Sequence, residues 1–534
     1  MNLLRTRHPL AWNGSIVRML GLTVAVLLGL FLTQLSLAEA AAFVGLLTIS
    51  VGTLIEPFIG LGAALFLGPL KAYLTAEAPQ IPAQIGHALV VLALTSWLIR
   101  KLSQRQGRGR ENIDSLRSPL LLAFLGFFGA VLLSLWDAVG LVTYGIPESI
   151  KWAEILLLFV FVKEHLTASD ASSAAYASSH ADPGQATGRL QWLVFMLLGG
   201  GLFQALVGVW QFGLRGEGPE HFRILGGEFF RAYGTFEQPN PYAGYLGLTA
   251  ALALGIALDT TRTLWASWHA RRSASTDDPR QPGSRLTDQP TSLPLYLFSG
   301  GALGVMLVAL LASWSRGGWM GFGAATLAIT AALPRKPVWS ILLVALLIIG
   351  GLGLYASGQL PASFAARLTS FVQDIRLEDI RGVPINDANY AVLERLAHWQ
   401  AAVSMLRHNL WTGVGFGCYE AAYPGFALIN WPIALGHAHN IYLNLLAETG
   451  VIGLATYLGL WGVVFWQTLR VTRRARGLVR SLALGLLGAW THLTVHHLLD
   501  NLFVNNVHLH IGVLLGVAAC LIQETDRTTA IHHG

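Results

Sequence analysis

From residue 15 to the C-terminal region this chain repeats apolar runs of about 20 residues, the length at which an α-helix spans the hydrocarbon core of a bilayer. Charged residues make up only 12% of the 534 positions, against about 25% in a typical soluble protein. That deficit, with 53% hydrophobic residues, excludes an ordinary globular enzyme. The net charge of +6 does not point to nucleic acid, because the positive residues sit in short clusters between apolar runs rather than on one soluble patch. They read as topology signals. Cys418 and Cys520 lie far apart and match neither a zinc spacing nor a redox pair, so they read as packing residues.

The first run, 15–37, follows Arg5 and Arg7 and ends in Ala38, Ala40 and Ala41, as a cleavable signal does. Its apolar core exceeds the usual 7 to about 15 residues of such a signal, so it is read as a first span. Further spans are expected at 41–56, 58–74, 84–99, 119–140, 148–165, 190–212, 242–259, 293–314, 318–333, 337–356, 450–469, 479–499 and 505–521. Pro57 breaks the second from the third. The fold class is therefore all-α, a polytopic membrane bundle of about 12–14 helices with a large, partly helical outer loop. Residues 1–356 form its N-terminal and central part, 357–449 the loop, and 450–534 the last spans and an inner tail.

Basic residues prefer the cytoplasmic side when they lie near span ends. Dense clusters occur at 101–117, at 262–285, at Arg335 with Lys336, and at 470–480. Alternation from a cytoplasmic N-terminus places all four inside. It places 213–241, the turn 315–317 and 357–449 outside. The last is too long for a plain connector. Within it, Asp387 is positioned to cap a helix whose Leu393, Leu396, Val403, Leu406 and Leu410 keep near-helical spacing, with Glu394, Arg395 and His398 on another face. This helix is expected to lie over the outer mouth of the bundle. Stretches 167–188 and 273–292 are rich in small and polar residues without periodicity and read as flexible inner loops.

Three outer segments carry candidate chemistry. Arg231 precedes a stretch dense in glycine and proline, Tyr233-Gly234-Thr235-Phe236 and Pro239-Asn240-Pro241, which fixes an irregular backbone at the membrane surface. A turn with a snorkelling arginine is the plainer alternative. Arg316 joins two spans through Ser313-Trp314-Ser315-Arg316-Gly317-Gly318-Trp319, where its charge needs water or an anionic partner; an interfacial anchor between belt tryptophans accounts for it equally. His437 and His439, in Gly436-His437-Ala438-His439-Asn440, stand at an outer helix start if the helix begins near His439. There a histidine can take a proton from a hydroxyl, or can serve only as a polar turn residue. A fourth group, His492, His496 and Asp500, has helical spacing that suits a metal, although a structural role is the simpler account. Taken jointly, two arginines and a histidine gather on the face that the basic loops avoid. Guanidinium forks match phosphate oxygens, and histidine is the usual base near neutral pH.

The Arg231 to Pro241 segment, the Ser315-Arg316-Gly317 turn, the Glu394 to Gly415 helix and the His439-Asn440 pair followed by Gly450 and Gly453 together resemble the O-antigen ligase and polymerase superfamily. The resemblance runs from about residue 190 to the C-terminus. It implies a multi-pass protein of the bacterial inner membrane with its site facing the periplasm. The implied reaction moves a glycan from undecaprenyl pyrophosphate to an acceptor hydroxyl, with no cofactor, nucleotide sugar or required metal. By the residue match, Arg231 and Arg316 would hold the pyrophosphate and His439 would deprotonate the acceptor, with His437, Asn440, Asn240 and Ser315 in support. Displacement would invert the anomeric centre. Ligation to lipid A core, glycan polymerisation and protein O-glycosylation share this layout. A polyprenol-glycan flippase or transporter is the rival from another class, but transporters place polar groups near mid-membrane within repeated halves, and no repeat is visible here.

Overall fold

The structure, a computed structural model, describes residues 14–79, 81–105, 118–176, 184–273, 291–374, 379–386 and 389–533. Apolar sequence with small residues at contact positions folds as helices throughout, because only a helix satisfies its own backbone in lipid. The first half comprises α1 (Gly14–Leu32), α2 (Leu37–Ile55), α3 (Pro57–Leu67), α4 (Lys71–Glu77), α5 (Ile85–Arg105), α6 (Pro119–Ser134), α7 (Ile146–Tyr176), α8 (Gly184–Gly213) and α9 (Pro239–Ser273). Next come α10 (Leu293–Ala312), α11 (Arg316–Ala332), α12 (Pro337–Ala356), α13 (Ala362–Asp374), α14 (Tyr390–His408), α15 (Tyr419–Ala422), α16 (Ile441–Arg474), α17 (Gly477–His496) and α18 (Val507–His533). Strand is confined, among the described residues, to one two-stranded hairpin, β1 (Arg223–Ile224) and β2 (Phe229–Phe230).

Among the described residues, ten helices are long and apolar enough to cross a membrane, which makes the chain a multi-pass membrane protein. The other expected spans are also helical. Of these, α6 and α11 are short, with 16 and 17 residues, and α7 carries Glu148, Lys151, Glu154, Lys163 and Glu164. Pro57 ends α2 as expected, with Glu56 accepting the Phe58 N–H at the start of α3. One inner stretch differs from expectation. Helix continues through Tyr176 and resumes at Gly184, so the ends of 167–188 are ordered; 274–290 lies outside the described residues.

α17 is the central post. It packs between α9 and α11, and almost every one of its residues is buried. Its Gly485 meets Gly255 and Leu252 of α9 so closely that a methyl group at either glycine would strike backbone, the small-residue approach by which helices pack in lipid. α12, with no buried residue, turns its apolar surface outward.

The two ends of the bundle differ in charge chemistry. At one end Arg480 pairs with Asp259, which also accepts from Arg262 (3.3 Å) and from the Ser481 hydroxyl (3.1 Å), while Arg335 donates to the Ala475 carbonyl (3.3 Å). Arg262, Arg335 and Arg480, one from each of three basic clusters, therefore converge there. The opposite end holds Arg231, the 313–315 turn, the start of α16 and the 497–506 connection.

Helix α14 covers this second end. Leu393 and Leu396 are buried as the periodicity predicts, but His398 is buried too, at 1% exposure, and Leu410 lies beyond the helix and is exposed. The expected polar face is thus narrower, since Tyr419 and Tyr423 supply a polar and aromatic seat for His398. Asp387 lies outside the described residues, and Asn389 occupies the N-cap position. Helix α16 starts at Ile441, before the expected 450–469 span, and passes through one non-helical residue, Gly450, at φ 63° and ψ −163°. A Cβ there would strike the Trp411 carbonyl.

Candidate active site

The site is built from connections between helices. After the hairpin, the Arg231 N–H donates to Phe222 O (2.8 Å) and the Ala232 N–H to Ala312 O (2.9 Å), which lays this segment against the end of α10. Arg231 then donates through Nε to Ser313 O (3.0 Å) and through Nη2 to Asn240 Oδ1 (3.4 Å). The Ser315 hydroxyl donates to the same Asn240 oxygen (2.9 Å) and accepts from the Gly318 N–H (3.4 Å) as the N-cap of α11. One amide side chain therefore ties three segments together. Gly318 is needed because α11 and α9 touch there; a Cβ would stand 2.6 Å from that of Ala243. Arg316 is the first residue of α11, so its guanidinium and the positive end of the helix share one position.

Two further arginines complete the wall. Arg367 of α13 donates through Nε and Nη2 to Trp314 O (3.3 and 3.2 Å). Arg395 comes from α14. Together Arg231, Arg316, Arg367, Arg395 and Asp500 line a cavity of about 160 Å³. Four guanidinium groups face one carboxylate. Burial, and then the charges of Arg367, Arg395 and Arg316, push Arg231 down to about 9; burial, with Arg316 and Arg395, pushes Arg367 down to about 10. Burial would raise the Asp500 carboxyl, but His439, His437 and His496 outweigh it and hold the group well below the usual carboxylate range. The cavity has an excess of positive charge suited to a polyanion.

His439 does not line this cavity. It stands beside it, with Nδ1 3.4 Å from Asp500 Oδ1. Its backbone is left-handed, φ 51°, a conformation that costs a non-glycine residue about 1 kcal/mol or more and marks a constrained position. The constraint is visible. His437 Nδ1 accepts the His439 N–H (3.0 Å), and Asn440 caps α16 by accepting from Tyr442 and Leu443 (3.0 and 3.1 Å) while donating to Leu498 O (3.1 Å). Since His437 Nδ1 is an acceptor, its proton is on Nε2, 3.8 Å from Asp500. Burial and the nearby His439 push His437 down to about 4, and the same two causes push His398 down to about 4. Helix α16 thus begins two residues after His439.

Of the residues singled out from sequence, Arg231, Arg316, Asn240 and Ser315 meet in one cavity, and His439, His437 and Asn440 form an adjoining turn linked to it by Asp500. The sequence motifs do not include Arg367, they place Asp500 only with His492 and His496, and they mark Arg395 only as part of a polar helix face. The suggested His492, His496 and Asp500 ligand set does not form. His492 Nε2 is engaged with Gly244 O (3.0 Å), and its ring fills a slot between Gly247 and Gly321, where a methyl group would collide with it. Groups that do bring three ligand atoms within 4.8 Å of one another are His437, His439 and Asp500, and separately His87, Glu154 and His508.

Residues 301–458 match the model of a family described as O-antigen ligase. The match spans well under half of the chain and contains Ser315, Arg316, Arg367, Arg395, His437, His439 and Asn440, while Arg231, Asn240 and Asp500 fall outside it. It supports the O-antigen ligase and polymerase superfamily, a class of membrane glycosyltransferases. The comparison with curated proteins gave no match.

Proposed function

We propose that this protein transfers a glycan from undecaprenyl pyrophosphate to an acceptor hydroxyl at the periplasmic face of a bacterial inner membrane, as an inverting, metal-independent enzyme of the O-antigen ligase type. The observation that carries the proposal is Asp500, whose carboxylate faces the four-arginine cavity and also stands against His439 Nδ1. Arg231 and Arg316, with Arg367 and Arg395, hold the pyrophosphate. His439 Nε2 accepts the proton of the acceptor hydroxyl as its oxygen bonds to the anomeric carbon. The bond from that carbon to the pyrophosphate oxygen breaks, and its electron pair leaves with the lipid pyrophosphate, whose growing charge the guanidinium groups offset. Asp500 orients the imidazole and stabilises it once protonated, as a carboxylate does behind a catalytic histidine. Lipid A core, a growing glycan and a protein side chain are all acceptors this chemistry can serve.

A metal at His437, His439 and Asp500 is the competing use of the same atoms. The four neighbouring guanidinium groups disfavour a divalent cation there, whereas they favour a base paired with a bound polyanion. Purified protein in lipid, given a lipid-linked glycan and candidate acceptors, should form product, and His439→Ala should lower the rate by about 10²- to 10⁴-fold with little change in donor binding. Cysteines placed at Gln238 and Ser357 should react with an impermeant reagent from the periplasmic side, and one at Ser275 should not. Wild-type transfer by His439→Ala, or the reverse labelling pattern, would overturn the assignment.

A further inference from the structure

Helix α14 has three faces, and the site above uses one. Arg395 points into the arginine cavity, and Leu393, Ala397, Ala401 and Met405 are buried. The remaining face, Gln400, Ser404 and Arg407, lines a second, open cavity of about 720 Å³. Leu396 and Trp399 line both cavities, so a single layer of side chains separates them. Phe426 also lines the second cavity, as does Leu443, four residues after His439 in the first turn of α16. The ring of His398, next to Trp399 in sequence, stands edge-on to that of His439 at 6.1 Å. The groove is therefore separated from the arginine cavity by Leu396 and Trp399, and it reaches the first turn of α16, the helix that follows the proposed base.

Its chemistry suits a sugar chain. Trp399 and Phe426 offer flat apolar surface for the C–H faces of pyranose rings, while the Ser404 hydroxyl, which donates to the Gln400 carbonyl (2.9 Å), can still accept from a sugar hydroxyl. Arg407 is exposed and has no ion pair among the described residues, so its charge is available to a ligand. The volume falls within the range of about 300–1,000 Å³ usual for a ligand pocket, whereas the arginine cavity is smaller than that.

We infer that this groove is the acceptor subsite and that it takes a saccharide bearing an acidic group. The acid meets Arg407, sugar rings lie on Trp399 and Phe426, and the reacting hydroxyl passes the Trp399 layer toward His439. This inference rests on the transferase reading above and assigns that reaction a glycan acceptor.

Saturation-transfer NMR on the full-length protein in nanodiscs tests it, with a hyaluronan tetrasaccharide, the neutral chitotetraose and a serine- and threonine-rich peptide as probes. Binding of undecaprenyl pyrophosphate is measured in parallel. The uronate-bearing tetrasaccharide is expected to bind more tightly than the neutral one. Ser404→Trp, which fills the groove from an exposed helix position, should abolish that binding, and Arg407→Ala should weaken it about tenfold. Neither change should alter binding of the lipid pyrophosphate. The inference is overturned if lipid pyrophosphate binds to the wild type but neither saccharide does, if only the peptide binds, or if Ser404→Trp leaves the saccharide signal intact. Failure of the wild type to bind lipid pyrophosphate would count against the transferase reading itself and remove the basis of the acceptor assignment.

Discussion

Asp500 Oδ1 stands 3.4 Å from His439 Nδ1, and the same carboxylate is the one acidic wall of the arginine cavity. This position gives Asp500→Asn a signature with two signs. Losing the carboxylate behind the base should slow transfer by about 10²-fold or more. Losing a negative charge among four guanidinium groups should tighten donor binding. Kinetics that separate kcat from the donor KM would read both; a weakened donor KM with unchanged kcat would remove Asp500 from the mechanism. His437→Ala, which frees the His439 N–H, should cost less than His439→Ala.

The arginines are expected to act through their forks as well as their charge. Arg231→Lys and Arg316→Lys keep the charge but lose bidentate geometry, and should weaken donor binding about 10- to 100-fold. Arg367→Ala tests a residue that also holds the Trp314 carbonyl. Wild-type affinity for lipid pyrophosphate in that variant would restrict Arg367 to supporting the turn.

Transfer should survive EDTA, since a base and four guanidinium groups suffice for the proposed step. Abolition by EDTA with recovery on zinc or manganese would instead make His437, His439 and Asp500 metal ligands. His492 would not be among them, because Gly244 already occupies its Nε2.

Stability should fall on mild acidification. His437 and His398 are both pushed down to about 4 in the folded protein, below the ordinary 6.5 of a histidine. Between about 6.5 and 4 the unfolded chain therefore binds protons that the folded chain refuses, and unfolding is favoured as pH drops through that window. Thermal unfolding in detergent at pH 7 and pH 5 should show the loss, and His398→Gln should flatten it. A pH-independent midpoint would contradict the buried, neutral state of both rings.

Much of this arrangement was legible in the sequence because apolar run length and basic clusters obey simple rules of lipid solubility and membrane sidedness. Ten expected spans recur as helices that meet the length and composition of a membrane span, Arg231 stands out by its glycine- and proline-bearing segment, and Arg316 by its Gly-Gly turn. The place of Asp500 beside His439 is hidden in the sequence for a specific reason. Counting by three and four from His492 assumes that the helix continues, but α17 ends at His496, and the chain beyond it carries the carboxylate toward His439 instead. Arg367 has no neighbouring motif, and only the folding of α13 against the Trp314 turn brings it to the cavity. The left-handed backbone of His439 was equally hidden, because it depends on His437 and Asn440 acting together.

The contrast between the two ends of the bundle has a consequence for how readily the protein unfolds. At the basic end Asp259 accepts from Arg480 and Arg262, so those charges strengthen the fold. At the site, four like charges are held together in half-buried positions around a single carboxylate before any substrate arrives, so the ligand-free state carries uncompensated repulsion. Function and robustness then pull against each other at this end. Arg395→Gln should raise the melting temperature of the ligand-free protein while weakening donor binding, and pyrophosphate should raise the melting temperature of the wild type more than that of the variant. A variant that melts lower than the wild type without ligand would show that Arg395 serves the fold rather than straining it.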